Sequence, residues 1–86
     1  MHACIFTPED AAGFGARELA EMDAAYARLS ARHERAAGAR PDAAEHERLC
    51  ALIKGVVVML RGRGWPPSEA DIIGEIERRE LDYPPQ

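Results

Sequence analysis

Residues 49–60, LCALIKGVVVML, form the most apolar stretch of the 86-residue chain and decide its fold. Apolar side chains recur there at helical spacing in two adjacent stripes, which are Leu49, Leu52, Val56 and Met59, and Cys50, Ile53, Val57 and Leu60. A helix that is apolar over so much of its circumference packs on two sides. The successive valines at 56–58 also fit a strand, but the sequence offers no partner strand. We therefore predict a central helix.

The residues on either side of this stretch place the helix over residues 43–61. Asp42 is suited to cap free N–H groups, and Glu45 three residues later completes the spacing of a capping box. Gly62 and Gly64 end the helix on the other side. The central helix therefore begins and ends at recognisable residues, and the rest of the chain must supply its neighbours.

A long first helix is predicted over residues 8–37. Thr7 is a good N-cap, and Pro8 at the first helical position sacrifices no hydrogen bond. Gly38 then stops the helix. The predicted apolar seam has spacings of three and four, and it comprises Gly15, Leu19, Met22, Tyr26, Leu29, His33 and Ala36. Charged residues, Arg32 among them, are assigned to the flanks of this seam.

A shorter third helix is predicted over residues 69–81, followed by a tail at residues 82–86. Ser68 caps its start, with Asp71 at the reciprocal position, and the prolines in the tail cannot continue it. Its apolar face consists of Ile72, Ile73, Ile76 and Leu81. The sequence thus predicts a single all-α domain over residues 1–86, an antiparallel helical hairpin with a shorter third helix across it.

Helix length and apolar surface together favour self-association. A helix from residue 8 to residue 37 would be ~45 Å long, whereas a compact chain of this length is ~31 Å across. The helix breaks near Gly13 to Gly15, where glycine disfavours helix, or a second subunit covers the overhang, or both. A chain this small also buries a limited share of its apolar surface. We expect a homodimer whose interface comprises Leu19, Met22, Tyr26, Leu29, Ile53, Val57 and Leu60.

Nucleic acid is not an expected partner, because the net charge is −4 at pH 7 and such a surface repels phosphate backbones. The second and third helices, separated by a glycine-containing turn, nevertheless have the layout of a helix-turn-helix. Residues 69–82, the would-be recognition helix, carry six acids against two arginines. A small DNA-binding transcriptional regulator of helix-turn-helix type is therefore an alternative function rather than the preferred one.

The most suggestive chemical pair is His46 and Cys50, four residues apart on one face of the central helix. With His2 and Cys4 they would supply the two His and two Cys ligands of a tetrahedral zinc site. The simpler interpretation is that Cys50 is a small buried residue and His46 an exposed residue of the first turn, so we expect no metal or other cofactor. A metal- or thiol-dependent sensor that uses His46 and Cys50 is the second alternative.

The acidic residues of the sequence do not predict a catalytic site. The pairs Glu45/Glu47 and Glu75/Glu77 are two residues apart and point to different sides of a helix, so neither pair can act on one bond. Trp65, in the turn before the third helix, is predicted to pack as an anchor under a helix end. The sequence therefore favours a binding protein over an enzyme.

The expected compartment is the cytoplasm. Residues 1–10 lack the basic and apolar regions of a signal peptide, and two cysteines suit a reducing environment. The longest apolar run, at residues 56–60, is far below the ~20 residues that cross a bilayer. Ten arginines against one lysine, with abundant alanine, are typical of short helical bacterial proteins. We expect a non-catalytic protein–protein interaction module: an adaptor, an inhibitor or a regulatory subunit.

Overall fold

Three α-helices account for most of residues 13–79, the part of the chain that the computed structural model describes. Helix α1 spans Ala16–Ala37, α2 spans Ala43–Gly62 and α3 spans Glu69–Arg79. Each helix packs against the other two, and the described residues contain no strand. The prediction of a small all-α fold with a shorter third helix is confirmed.

The start of α1 differs from the prediction of a helix over residues 8–37. Gly13, Phe14 and Gly15 are not helical, and Gly15 is an extended N-cap whose N–H donates to the Glu18 carboxylate at 3.0 Å. Two closely spaced glycines gain little from helix formation, and Glu18 at the third helical position satisfies the free N–H group. The predicted part at residues 8–12 lies outside the described residues.

The break removes the geometric reason for a second subunit. The 22 residues of α1 give a helix about 33 Å long at the usual rise per residue. A compact chain of this length is about 31 Å across, so α1 leaves almost no overhang. Among the two explanations of the overhang, the described residues therefore favour the break at Gly13 to Gly15.

The other helix ends agree closely with the sequence. Gly38 ends α1 with a φ of +78°, and its N–H donates to the Glu34 carbonyl at 2.8 Å. Asp42 caps α2 by accepting the Glu45 N–H at 2.9 Å, and α2 ends at Gly62, one residue later than predicted. The predicted end of the third helix at residue 81 and the tail at 82–86 lie outside the described range.

The core lies where the three helices meet, and α2 contributes the largest share of it. Contacts between Tyr26 and His46 and between Glu18 and Arg61 show that α1 and α2 run antiparallel. Helix α3 packs against both and joins α1 through the ion pairs Arg28–Glu69 and Arg32–Glu77. The buried apolar residues are Met22, Ala25, Leu29, Leu49, Ile53, Val56, Val57, Leu60, Ile72, Ile73 and Ile76. Helix α2 thus packs on two sides, as predicted, and so do α1 and α3.

Within residues 13–79, no helix combines the length and the apolar composition that crossing a bilayer requires.

Candidate functional site

The residues predicted to form a dimer interface lie mostly inside a single chain. Met22, Leu29, Ile53, Val57 and Leu60 are buried core residues, whereas Leu19 and Tyr26 are half-buried at the edge of the core. The physical reason is that three helices shield one another more completely than a hairpin with a short third helix was expected to. A homodimer stays a prediction, but those five buried side chains are not available to a second chain.

The prediction that Trp65 packs as an anchor under a helix end is wrong. Its exposed fraction is 56%, and among the described residues only Trp65 and Val58, at 55%, are large apolar residues with so much exposure. Trp65 is nevertheless held in place. Its backbone N–H donates to the Leu60 carbonyl at 2.9 Å, and its indole Nε1–H donates to the Asp71 carboxylate at 3.0 Å.

The turn around Trp65 is stiff on both sides. Gly64 has a φ of +74°, a backbone conformation that glycine adopts without strain, and its N–H donates to the Arg61 carbonyl at 2.9 Å. Pro66 and Pro67 follow, and proline restricts φ to a narrow range. The position of the indole is therefore set before any ligand binds.

Asp71 connects this turn to the start of α3. Its carboxylate accepts the Ser68 hydroxyl at 2.9 Å as well as the Trp65 indole, while its own N–H donates to Ser68 Oγ at 3.2 Å. Ser68 Oγ thus caps α3, as predicted, while the Asp71 carboxylate bonds the Ser68 hydroxyl; a full capping box would bond the Ser68 backbone N–H instead. The same carboxylate thus bonds both the capping residue of α3 and the exposed tryptophan.

Trp65 borders two surface cavities. The larger, about 310 Å³, is lined by Arg17, Glu18, Arg61, Gly64, Trp65, Pro66 and Pro67. The smaller, about 250 Å³, is lined by Leu60, Arg63, Trp65, Ala70, Asp71, Gly74, Glu75 and Arg78. An exposed aromatic ring beside concave surface is a typical receptor for an apolar side chain of another molecule.

Arg61 forms an ordered charged edge to the larger cavity. Its guanidinium pairs with Glu18 at 3.2 Å, donates to the Gly13 carbonyl at 3.1 Å and lies 5.2 Å from the centre of the Phe14 ring. Three contacts of different kinds restrict this long side chain. The surface around Trp65 therefore combines an apolar platform with charges of fixed position.

A second cluster joins α1 to α2 through Tyr26, His46 and Cys50. The Tyr26 hydroxyl lies 2.6 Å from His46 Nδ1, the two rings meet edge to face, and Cys50 Sγ lies 3.7 Å from His46 Nε2. His46 is half-buried rather than exposed, and Cys50 is half-buried rather than fully buried. The predicted pair is thus brought together, with Tyr26 as a member that spacing within one helix could not reveal.

The electrostatic environment of this cluster keeps the tyrosine protonated. Burial raises the pKa of Tyr26, and the nearby charges of Cys50 and Glu45 raise it further. The tautomer of His46 sets the direction of both bonds: Nδ1 accepts from or donates to the Tyr26 hydroxyl, and Nε2 then donates to or accepts from Cys50 Sγ.

The zinc hypothesis finds only part of its ligand set in the described residues. His46 and Cys50 supply two ligands, whereas a structural zinc site uses four. Over residues 13–79 no group of three or more His, Cys, Asp or Glu side chains is placed to hold a metal ion. His2 and Cys4 lie outside this range, so the four-ligand site stays a prediction.

Helix α3 carries little free positive charge for DNA. Glu75 forms ion pairs with both Arg78 and Arg79, and acidic Glu69 and Asp71 occupy its first turn. Phosphate contact at that end would be repulsive. The two helices and the turn of the helix-turn-helix alternative are present, but α3 offers no basic surface that would favour binding to DNA.

Arg32 is a residue that the sequence interpretation misplaced. It was assigned to an exposed flank of the first helix, but only 7% of it is exposed, and its guanidinium pairs with Glu77 of α3 at 2.5 Å. The stripe of α1 that is actually buried consists of Met22, Ala25, Leu29 and Arg32. These residues are three, four and three positions apart, as on one face of a helix. Alanine and arginine are not typical core residues, so the sequence alone did not single out this stripe.

Comparison with known proteins adds no assignment: no family model, no curated protein and no solved structure matches the chain. The geometry of the Trp65 turn and of the Tyr26 cluster is therefore the basis on which a function is argued.

Proposed function

We propose that the protein is a small, non-catalytic protein–protein interaction module, an adaptor, inhibitor or regulatory subunit, that binds its partner through the Trp65 turn. The observation that carries this proposal is a tryptophan that is 56% exposed and yet fixed by hydrogen bonds to Leu60 and Asp71. Exposure of so large an apolar side chain has a cost in water, which a partner would remove.

The physical properties of the turn suit tight recognition. Tryptophan and arginine are the residues most enriched among those that dominate binding energies at protein interfaces, and Trp65 lies beside Arg61. Binding also loses less conformational entropy when side chains are ordered beforehand. The prolines and the Asp71 hydrogen bond supply that order, so the contact gains affinity without an induced rearrangement.

The chemistry of the larger cavity indicates what the partner would present. Trp65 and the two prolines offer an apolar wall, while two positive groups and one negative group lie at its edge: Arg17, Arg61 and Glu18. A partner with an apolar side chain flanked by polar groups would fill the cavity and pair with the edge. Another protein meets this description better than a phosphate backbone, which offers no apolar side chain to cover Trp65 and the prolines.

The experiment that tests the proposal uses two exposed apolar residues of the same chain. Tagged wild-type protein, Trp65→Ala and Val58→Ala are used to capture proteins from the native host, and bound proteins are quantified by mass spectrometry. We expect a partner retained by wild type and by Val58→Ala but lost by Trp65→Ala. Equal retention by all three variants would contradict the assignment to the Trp65 turn.

The homodimer is the simplest case of the same proposal, with the partner being a second copy whose Trp65 turn meets the first. Light scattering across micromolar concentrations measures it directly. We expect a mass above the 9.5 kDa of one chain that rises with concentration and returns to monomer in Trp65→Ala. A mass that stays at 9.5 kDa leaves the different partner as the remaining form of the proposal.

A thiol-dependent sensor is a second candidate, and the distance of 3.7 Å between Cys50 Sγ and His46 Nε2 supports it. A thiol next to an imidazole reacts faster at neutral pH when the imidazole accepts its proton. Alkylation of Cys50 by iodoacetamide, followed against pH, tests this. Removal of the base in His46→Gln should shift the profile to higher pH, and an unchanged profile would count against the sensor.

A further inference from the structure

The guanidinium of Arg32 is the least satisfied polar group in the described residues. Only 7% of the residue is exposed, and its Nη1 pairs with the Glu77 carboxylate at 2.5 Å. Its Nε and Nη2 are buried and have no hydrogen-bond partner. Buried donors of a charged group nearly always have partners, because leaving them without one costs free energy.

The two atoms without partners are not an arbitrary pair. The Nε–H and one Nη2–H of a guanidinium point in parallel and form the edge that binds two oxygens of a carboxylate or a phosphate side by side. Glu77 occupies a different nitrogen, so this edge remains uncommitted while the ion pair holds the side chain in place. Arg32 is thus oriented by one acid and has the geometry to receive a second.

A surface cavity adjoins this residue. It has a volume of about 280 Å³ and is lined by Ala27, Arg28, Ala31, Arg32, Arg35 and Glu77. Three arginines at positions 28, 32 and 35 share one face of α1, because they are separated by four and three residues. The two alanines leave room between them. Three arginines and one acid therefore line the cavity, and Glu69 pairs with Arg28 at 3.0 Å from the side of α3.

We propose that this cavity, between α1 and α3, binds a small oxyanion, the carboxylate or phosphate group of a ligand, through the Nε and Nη2 edge of Arg32. Arg28 and Arg35 add charge at the entrance. Because Nε and Nη2 are buried, the anion enters as the long exposed side chains around the cavity move aside. The volume accommodates the anionic group together with a few further atoms of the ligand.

The first test observes Arg32 in the intact wild-type chain. The Nε–Hε resonances of the arginines are followed by nuclear magnetic resonance during titration with inorganic phosphate and, separately, with succinate. Sodium chloride at equal ionic strength is the reference. We expect a saturable shift of the Arg32 resonance, and which of the two anions causes it identifies the source of the oxyanion. Shifts no larger than those from chloride would overturn the proposal.

The second test compares identical substitutions at two arginines. Arg32→Lys keeps the charge but lacks the parallel donors, whereas Arg40→Lys changes an exposed arginine that does not line the cavity. Binding should weaken at least tenfold in the first and stay unchanged in the second. Equal affinity in both would overturn the proposal.

A third variant protects the experiment against loss of folding in Arg32→Lys. Arg28→Gln removes the exposed ion pair with Glu69 and leaves the Arg32–Glu77 pair in place, so circular dichroism should be unchanged, as for other exposed pairs, while anion affinity falls. Unchanged affinity would contradict the proposal. Trp65→Ala should bind the anion like wild type, which separates this site from the proposed protein-binding turn.

Discussion

Trp65 and Arg32 occupy places opposite to those that their side chains ordinarily take. The large aromatic residue lies on the surface of the α2–α3 turn with 56% of it exposed, whereas the charged residue lies between α1 and α3 with 7% of it exposed. Exposed single apolar residues are common, but a fixed tryptophan and a buried arginine with unused donors are not. Both residues lower the stability of the fold. Natural proteins depart in this way from the rules of folding mainly at functional sites, so function is expected in these two regions.

The largest effect should come from placing a charge in the core without a partner. Val57→Asp buries a carboxylate among apolar side chains, so the free energy of unfolding should fall by about 3 kcal/mol or more. Urea denaturation followed by circular dichroism measures it. The measured loss also indicates how much free energy of unfolding the buried Arg32 would remove if Glu77 did not pair with it.

Val58→Asp is the matched control, because Val58 is the next residue of α2 and is mostly exposed. Its change should stay within about 0.5 kcal/mol, as for other surface substitutions. Similar losses for Val57→Asp and Val58→Asp would show that the inner face of α2 is not the centre of the core.

A smaller loss is expected when the acid that pairs with Arg32 becomes neutral. Glu77→Gln leaves the buried guanidinium without its anion, but 39% of the Glu77 side chain is exposed and water compensates in part. We expect a loss of about 1–2 kcal/mol. Glu34→Gln weakens an exposed pair with Arg40 and should change stability by no more than about 0.5 kcal/mol. Equal losses in Glu77→Gln and Glu34→Gln would contradict the view that the buried Arg32 depends on its pair with Glu77.

Truncation of the exposed aromatic should cost less still. Trp65→Ala removes the hydrogen bond to Asp71 but little buried apolar area, so we expect a loss below about 1 kcal/mol. Leu29→Ala, in the core, should lose about 2–5 kcal/mol. Thermal melting of the two variants compares them, and a large loss in Trp65→Ala would mean that the turn supports the fold rather than a partner.

The smallest expected effect is a decrease in the free energy of unfolding at alkaline pH. The pKa of Tyr26 is raised in the folded chain by burial first, then by Cys50 and Glu45, so the folded state holds this proton more tightly than the unfolded state. The resulting stability is present below the unfolded pKa near 10 and is lost as pH rises through the folded value. Wild type should therefore lose stability more steeply than Tyr26→Phe as the pH rises above about 10, as measured by urea denaturation; parallel curves would argue against it.

The helices were predictable because each has strong local signals. The cap at Asp42, the stop at Gly38 and the apolar circumference of residues 49–60 determine their own neighbourhoods, and the structure agrees with them to within one residue. The start of α1 was not predictable in the same way, because Thr7 is a good N-cap whereas the glycines at 13 and 15 disfavour helix. Local propensity alone does not rank two such signals.

The sites were less predictable because each depends on residues far apart in the chain. His46 and Cys50 were found from their spacing, but Tyr26 joins them from another helix. Arg32 became a core residue only because Glu77 of α3 lies opposite it, and no pattern within α1 reveals that acid. The Trp65 turn was misjudged because exposure depends on how α3 packs, not on the turn itself.

Since Trp65 is the sole tryptophan of the chain, the α2–α3 turn contains the protein's only indole fluorophore. A partner that covers the half-exposed ring would shift its emission to shorter wavelength and shield it from iodide, whereas an anion bound beside Arg32 would leave the emission unchanged. Unfolding would expose the ring fully and shift the emission the other way. The protein therefore carries an intrinsic optical reporter at one of its two proposed sites, and binding there can be followed without a label.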